Sequence, residues 1–276
     1  MPVEKTIVQT NQEVSALLSV PHSHIAAGGT ALPQNEPELF LVDISSLEGL
    51  DGIRQKSSRI EIGPLASLQS LADSPLIRAQ APVLAAAAAE AGDAEIRKRG
   101  TLGGNLAGSP AGDTAAALLA CGAKLTIRTE SDFREILIDR FWDQNGENDL
   151  QYDEWIVRVT LQLPKEKYRG AAYAKSGIWD STRMPAAAAA VQLAINDKNI
   201  ITAIRGGIRP GFGAVRRMFA LEKALKNNPA TDENFEKAAR SMIPAVRDTM
   251  QEPESIAFFT ELLRTCRGMA EERRSL

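Results

Sequence analysis

Cysteine and histidine are scarce in this sequence. The chain of 276 residues has only two cysteines, Cys121 and Cys266, and two histidines, His22 and His24. Two separate cysteines are too few for a four-cysteine zinc site or an iron–sulfur cluster. They also form no disulfide framework, which favours a reducing compartment. The His-Ser-His pair would need further ligands to bind a metal, and a plain pair at a strand edge is the alternative. Metal chemistry would therefore have to come from another chain.

Aromatic residues are also scarce, and the sequence has neither an excess of basic residues nor a long apolar run. Aromatic residues make up 5% of the chain, and the formal net charge is −3. Neither a stacking platform for single-stranded nucleic acid nor a basic field is therefore expected. No apolar stretch reaches the roughly 18 residues that a membrane-spanning helix needs, and the N-terminus has no signal-peptide pattern. We expect a cytoplasmic protein with no nucleic-acid partner and no membrane span.

What remains is a composition typical of globular proteins, with 44% hydrophobic and 24% charged residues. Period-two patterns and short apolar runs predict strands, and 3.6-residue periodicity with Pro, Ser and Gly boundaries predicts helices. The segment 184–195 fits a strand or a helix equally well. The predicted strands are 39–44, 60–63, 124–128, 155–163 and 200–208, and the predicted helices are 65–71, 82–92, 113–122, 215–226, 232–242 and 254–272. A change of character at 165–168 predicts two regions of about 165 and 110 residues.

A first glycine loop follows a short apolar stretch and reads Gly28-Gly29-Thr30. Glycines let several backbone N–H groups point into one concavity, which suits an anion such as a phosphate, and the threonine adds a hydroxyl. The pattern is neither a Walker loop nor the dinucleotide fingerprint. An ordinary turn is the alternative interpretation.

A second loop repeats this chemistry: Gly103-Gly104 lies between Thr101 and Asn105, after a basic triplet and before a helix. Two such loops are suited to face each other across a diphosphate and to share its charge through N–H donors. Asp113 fits either the N-cap of the following helix or an acceptor for ribose or ribityl hydroxyl groups.

These two loops resemble the flavin-binding signatures of the FAD subunits of molybdenum hydroxylases, the family that includes xanthine dehydrogenase and carbon monoxide dehydrogenase. The resemblance rests on 26–33 and on 99–113, and it extends through 42–50 and 60–68. It implies an α+β fold of the vanillyl-alcohol-oxidase type. Residues 1–167 would form an FAD-binding domain of two α+β subdomains, and residues 168–276 a small α+β C-terminal domain.

The resemblance also implies which residues bind the FAD. Asp113 would contact the cofactor, Ile156 would lie at the flavin, and Lys175 would lie beside the isoalloxazine, although a surface lysine is an equal alternative. After Lys175 the arginine-rich pattern of many relatives is missing, and Trp179 there fits a packed aromatic better than a flavin neighbour. The implied residues of the two loops are Ala27, Gly28, Gly29, Thr30, Ala31, Leu32, Thr101, Gly103, Gly104 and Asn105.

The implied function is electron transfer within a complex. A large subunit with molybdenum cofactor would oxidise the substrate, and a small subunit with [2Fe–2S] clusters would pass electrons to FAD here and on to NAD or a quinone. The family expectation is a dimer of heterotrimers. Three alternatives stay open: a stand-alone FAD oxidoreductase, a module that binds another nucleotide, and a bridging subunit that binds no FAD.

Overall fold

Three β-sheets, each with its own hydrophobic core, organise the chain. The computed structural model describes residues 4–30, 32, 38–108, 111–177, 185–211 and 214–275. Within these residues the sheets have three, five and four strands, and helices cover them. The α+β class predicted from the sequence is confirmed.

The first sheet is parallel, with strand order β1-β3-β2. It comprises β1 (Glu4–Ile7), β2 (Ser23–Ala26) and β3 (Phe40–Asp43), and α1 (Asn11–Leu18) connects the first two strands. The Thr10 side chain caps α1 by accepting a hydrogen bond from the Glu13 N–H. The first glycine loop begins directly after β2. It therefore lies at the carboxyl ends of parallel strands, where α/β sheets commonly bind ligands.

The second sheet is antiparallel, with order β4-β5-β8-β6-β7. Its strands are β4 (Ile53–Lys56), β5 (Arg59–Ile62), β6 (Lys124–Arg128), β7 (Phe133–Leu137) and β8 (Trp155–Gln162). The helices between β5 and β6 are α2 (Leu68–Asp73), α3 (Pro75–Gln80), α4 (Pro82–Ala89), α5 (Ala94–Arg99), α6 (Leu102–Ala107) and α7 (Thr114–Cys121). Strand β8 joins two cores, because Trp155 packs under the first sheet and Ile156 under the second.

The third sheet is antiparallel, with order β12-β11-β10-β9. Its strands are β9 (Arg169–Lys175), β10 (Ala187–Ile195), β11 (Ile201–Pro210) and β12 (Arg216–Arg217), followed by α8 (Phe219–Leu225), α9 (Asp232–Arg240), α10 (Ile243–Val246) and α11 (Glu252–Ser275). Helix α7 packs on one face of this sheet and α11 on the other. The approach of α7 is so close that a Cβ on Gly207 would overlap the Ala116 carbonyl oxygen. The start of α7 is thereby fixed against β11.

Most predicted elements are confirmed within a few residues, and the ambiguous segment forms β10. The predicted helix 215–226 is wrong in its first part, because Arg216 and Arg217 pair with β11 as β12 before α8 begins at Phe219. The helix predicted over 65–71 begins at Leu68, since Ser67 is its N-cap. The short strands β1, β4, β7 and β9 were not predicted.

Neither a membrane helix nor a metal site is found in the described ranges. None of the helices there is both long and apolar enough to cross a bilayer. In the same ranges, no three histidine, cysteine, aspartate or glutamate side chains group together as metal ligands would. His24 lies in β2, and His22 precedes it in a left-handed turn with φ 61°.

Candidate functional site

A cleft of about 460 Å³ lies between the first and second sheets. Both glycine loops and the start of β8 line it, so elements far apart in the sequence form one cavity. Among its lining residues are most of the positions singled out in the sequence: Ala27, Gly28, Gly29, Thr30, Leu32, Thr101, Gly103, Gly104 and Ile156. Ala31 and Trp179 lie outside the described residues.

The two loops touch at Gly28. A Cβ on this residue would overlap the carbonyl oxygen of Arg99, just before the second loop. The next residue, Gly29, has φ +68°, a conformation that favours glycine. The Arg99 side chain turns back toward it, with Nη2 3.6 Å from the position that a Cβ on Gly29 would occupy. The first loop therefore lies between the main chain and the guanidinium of Arg99, a residue of the basic triplet that the sequence analysis did not assign to the site.

The backbone amides of the first loop are unused. In the described part of the chain, the N–H groups of Ala27, Gly28, Gly29 and Thr30 have no hydrogen-bond partner. Consecutive unpaired amides beside an arginine are the kind of donors that an anion-binding concavity requires. Because Gly29 and Thr30 are exposed, these donors are open to a ligand or to water.

The amides of the second loop are already bonded within the protein. Gly103 N–H donates to the Pro64 carbonyl at 2.8 Å, and Gly104 N–H donates to Thr101 Oγ1 at 3.2 Å. Leu102 N–H and Asn105 N–H donate to the carbonyls of Ala66 and Thr101. This differs from the expectation that both loops share an anion through N–H donors. The second loop forms a rigid wall, because the Thr101 hydroxyl oxygen caps α6 and the Leu102 and Gly103 N–H groups attach the loop to the 64–66 segment.

A smaller cavity of about 200 Å³ continues from the cleft. Thr30, Thr101 and Gly104 line both cavities, and Asn105 and Asp113 line only the smaller one. The two cavities therefore adjoin at the paired loops.

Asp113 lies at the start of α7 but does not cap it. Its side chain makes no capping hydrogen bond, and Asn105 Oδ1 instead accepts from the Thr114 N–H at 3.0 Å. The Asp113 carboxylate accepts from Lys175 Nζ at 2.9 Å and from Arg209 Nη2 at 3.2 Å. Of the two interpretations of Asp113, the capping one is wrong, and the carboxylate is left at the wall of the smaller cavity.

Two further titratable groups adjoin Asp113. The Tyr173 hydroxyl donates to its carboxylate at 3.4 Å, and burial together with the Asp113 charge raises the pKa of Tyr173 above its usual value. Burial also raises the pKa of Glu90, whose carbonyl oxygen accepts from Lys175 Nζ at 2.6 Å. Lys175 therefore reaches the site through Asp113, and it does not line the larger cleft. Tyr173 and Arg209 were missed in the sequence, since only strand register brings them here.

The opposite end of the cleft is formed by 150–156. Glu154 accepts bonds from Arg134 Nε at 2.7 Å and from the Gln151 N–H at 3.0 Å. The Arg134 hydrogen bond holds the pKa of Glu154 below its usual value. Trp155 Nε1 is buried at this end without a partner in the described residues, and Tyr152 is 77% exposed at the cleft.

The chain is similar in sequence to a known family and to proteins within known dehydrogenases. The sequence profile of the family described as the FAD binding domain in molybdopterin dehydrogenase matches residues 3–165. The FAD subunit of nicotinate dehydrogenase from Eubacterium barkeri is 28% identical over 238 residues, which span 82% of this chain and 78% of that protein. The medium chain of carbon monoxide dehydrogenase from Hydrogenophaga pseudoflava is 32% identical over 143 residues, half of each chain.

Solved structures are similar over nearly the whole chain. Carbon monoxide dehydrogenase from Hydrogenophaga pseudoflava matches with a TM-score of 0.85 at 25% identity, covering 98% of both chains. Carbon monoxide dehydrogenase from Oligotropha carboxidovorans matches with a TM-score of 0.87 at 20% identity, covering 99% of both chains. The similarity therefore includes the third sheet and its helices, which lie beyond the residues that the family profile matches.

Proposed function

We propose a function for this chain on the basis of its family, the FAD-binding domains in molybdopterin dehydrogenases, to which it belongs as an FAD-binding oxidoreductase chain. The proposed function is that of the electron-transfer subunit in a molybdenum-containing hydroxylase or dehydrogenase complex. Its partners are then a small subunit with [2Fe–2S] clusters and a large subunit with molybdenum cofactor, assembled as a dimer of heterotrimers. Relatives named as an FAD subunit and a medium chain support the part of this proposal that makes the chain one subunit of several.

The unused amides of the first loop are the observation that carries the proposal. A diphosphate needs several donors in one concavity, and 27–30 supply them beside the Arg99 guanidinium. Glycine at position 28 lets this loop approach the Arg99 carbonyl, and glycine at position 29 permits its φ of +68°. The second loop supplies shape, with Gly103 and Gly104 forming the wall and the Thr101 hydroxyl retaining a proton to donate.

The two ends of the site would hold the two ends of the cofactor. Asp113 is placed to accept hydrogen bonds from ribityl or ribose hydroxyl groups, and Lys175 to carry positive charge at that end. Ile156 gives an apolar surface for a ring at the other boundary of the cleft, and Leu32 and Ala31 continue the first loop. This assignment of residues to parts of FAD is part of the proposal.

FAD, when bound, supplies the redox chemistry, since a flavin accepts electrons singly and releases them in pairs to an acceptor such as NAD or a quinone. This chain's residues bind and orient it. In this proposal, substrate oxidation belongs to the partner with molybdenum. We further propose a cytoplasmic complex and a vanillyl-alcohol-oxidase-type arrangement of the two subdomains in residues 1–167, with 168–276 as the C-terminal domain.

Purification of the tagged chain from the cells that produce it naturally tests this proposal. The expected result is a complex of three different chains that contains FAD, iron and molybdenum, each measured in the same sample. The iron and molybdenum should be lost when the partners are removed at high salt, whereas the FAD should remain with this chain.

Other results would contradict it in distinct ways. A lone yellow protein that oxidises a substrate without partners would make it a stand-alone oxidoreductase. A folded, colourless chain that still assembles with others would make it a bridging or nucleotide-binding module.

A further inference from the structure

Arg209 shares one cross-strand row with Lys175. The register of the third sheet places Ala188 opposite Lys175 on one side and opposite Arg209 on the other. Side chains in such a row lie on the same face of the sheet. Because the middle residue is alanine, the two long cationic side chains can converge above it.

Asp113 lies where these two cations converge. Lys175 Nζ contacts Oδ2 at 2.9 Å, and Arg209 Nη2 contacts Oδ1 at 3.2 Å. The side chain of Arg209 is only 7% exposed, compared with 22% for Lys175. Each oxygen of the carboxylate is thus held by a different cation.

The helix that carries Asp113 is fixed by the same strand as Arg209. Gly207, two residues before Arg209 in β11, packs directly against the Ala116 carbonyl in α7. The close main-chain contact therefore sets the distance of α7 from the sheet. The Arg209 guanidinium contacts the carboxylate of Asp113, the residue just before this helix.

The Asp113 carboxylate has an acceptor position left for a ligand. A carboxylate has roughly four acceptor positions. Lys175, Arg209 and Tyr173 donate to Asp113 from the protein, which leaves about one position for a donor in the smaller cavity. Without Arg209, the carboxylate could rotate toward Lys175 and turn this position away.

We propose that Arg209 is a positioning residue for the bound cofactor, acting through Asp113. It holds the carboxylate at the wall of the smaller cavity so that a hydroxyl group of FAD donates to it. This inference rests on the proposed function, because it requires FAD in the cleft.

The test is a double-mutant cycle of FAD binding to the purified, flavin-free chain. The dissociation constant is measured by quenching of flavin fluorescence for the native chain, R209Q, D113N and the double variant. R209Q is expected to weaken binding roughly tenfold. In the D113N background, the same change is expected to have almost no effect, because Arg209 acts through that carboxylate.

Arg205→Gln is the matched control. Arg205 lies on the same strand and bonds the Leu119 carbonyl and Asp139, away from both cavities of the site. Its replacement is expected to leave FAD affinity within about twofold of the native value, well below the effect expected for R209Q. If R209Q does not fold, Arg209→Met replaces it, since an apolar side chain of similar length is often tolerated where a buried charge is removed.

The outcomes separate this inference from the proposed function. A native chain that binds no FAD would contradict the proposed function. A native chain that binds FAD, together with R209Q and R209M variants of unchanged affinity, would contradict only the role of Arg209. Equal losses from R209Q in the native and D113N backgrounds would also contradict it, because the residue would then act independently of Asp113.

Discussion

The two glycine loops meet across one cleft, but they use their backbone amides in opposite ways. The amides of 27–30 are unpaired among the described residues, whereas those of 102–105 all donate to carbonyls or to Thr101 Oγ1. An unpaired amide costs free energy unless a ligand or water accepts from it. The first loop is therefore free to bind a ligand, as we propose, whereas the second is a structural support.

The largest expected effect comes from forcing the loops apart. Gly28→Ala would place a methyl group on the Arg99 carbonyl oxygen, and main chain cannot move aside as a side chain can. We expect FAD affinity to fall by roughly 100-fold or more and the free energy of unfolding by about 2–3 kcal/mol. Titration with FAD and urea unfolding measure the two losses.

Gly268→Ala is the control for that variant. Gly268 lies within α11, and apart from its chain neighbours and its own helix backbone no heavy atom of the described residues lies within 4 Å of the added methyl group. This variant is expected to gain about 1 kcal/mol of stability and to bind FAD normally. If Gly28→Ala and Gly268→Ala had the same FAD affinity and the same free energy of unfolding, the close approach of Gly28 to the Arg99 carbonyl would not explain either property.

Gly103→Ala tests the structural role of the second loop. The added Cβ would lie 2.9 Å from Pro64 Cβ, so it strains the attachment to the 64–66 segment without entering the cleft. The flavin-free chain is expected to lose about 1–2 kcal/mol of unfolding free energy, with a smaller loss of FAD affinity than Gly28→Ala. A fully stable variant without FAD binding would show instead that this loop contacts the ligand directly.

The ion pair between Glu154 and Arg134 at the end of the cleft predicts a pH dependence of stability. The hydrogen bond from Arg134 lowers the pKa of Glu154 in the folded chain. Its contribution to the free energy of unfolding is therefore complete above the unfolded pKa near 4.5. That contribution is lost as the pH falls through the lower folded value. We expect Glu154→Gln to lose about 1–2 kcal/mol at neutral pH and to unfold with a weaker acid dependence. Urea unfolding from pH 3 to 7 measures both, and an unchanged acid dependence would contradict the ion pair.

The smallest effects distinguish two threonines. Thr101 caps α6, so Thr101→Ala should cost about 1 kcal/mol of stability, and Thr101→Ser should restore it. Thr30 is exposed and has no partner in the described ranges. Thr30→Ala should therefore leave the unfolding free energy within about 0.5 kcal/mol while weakening FAD binding severalfold. The opposite pattern would reverse the assignment of the two loops.

Some of this organisation could be predicted from the sequence, because it is local. The alternation along 155–163 predicts β8, and the Gly-Gly motifs predict loops. The alanines of β10 gave no such signal, since a run of small residues has neither period and packs equally well in a helix. Their conformation depends on α7 and on Gly207, which lie elsewhere in the chain.

The amides and charges of the site could not be predicted because they depend on distant partners. Both loops contain Gly-Gly before a polar residue, and nothing within either motif indicates whether Pro64 will accept its N–H groups. Asp113 precedes a run typical of a helix start, yet the cap comes from Asn105, nine residues before Thr114, whose N–H donates to Asn105 Oδ1. Arg209 reaches Asp113 only through the register of β9, β10 and β11.

The most direct test of the account is the chromophore of the purified chain. Its visible spectrum is recorded, the protein is denatured, and the released compound is identified and quantified. The account predicts FAD in an amount equimolar with the chain, lost in Gly28→Ala and retained in Gly268→Ala. A folded, colourless chain that takes up no added FAD would contradict it.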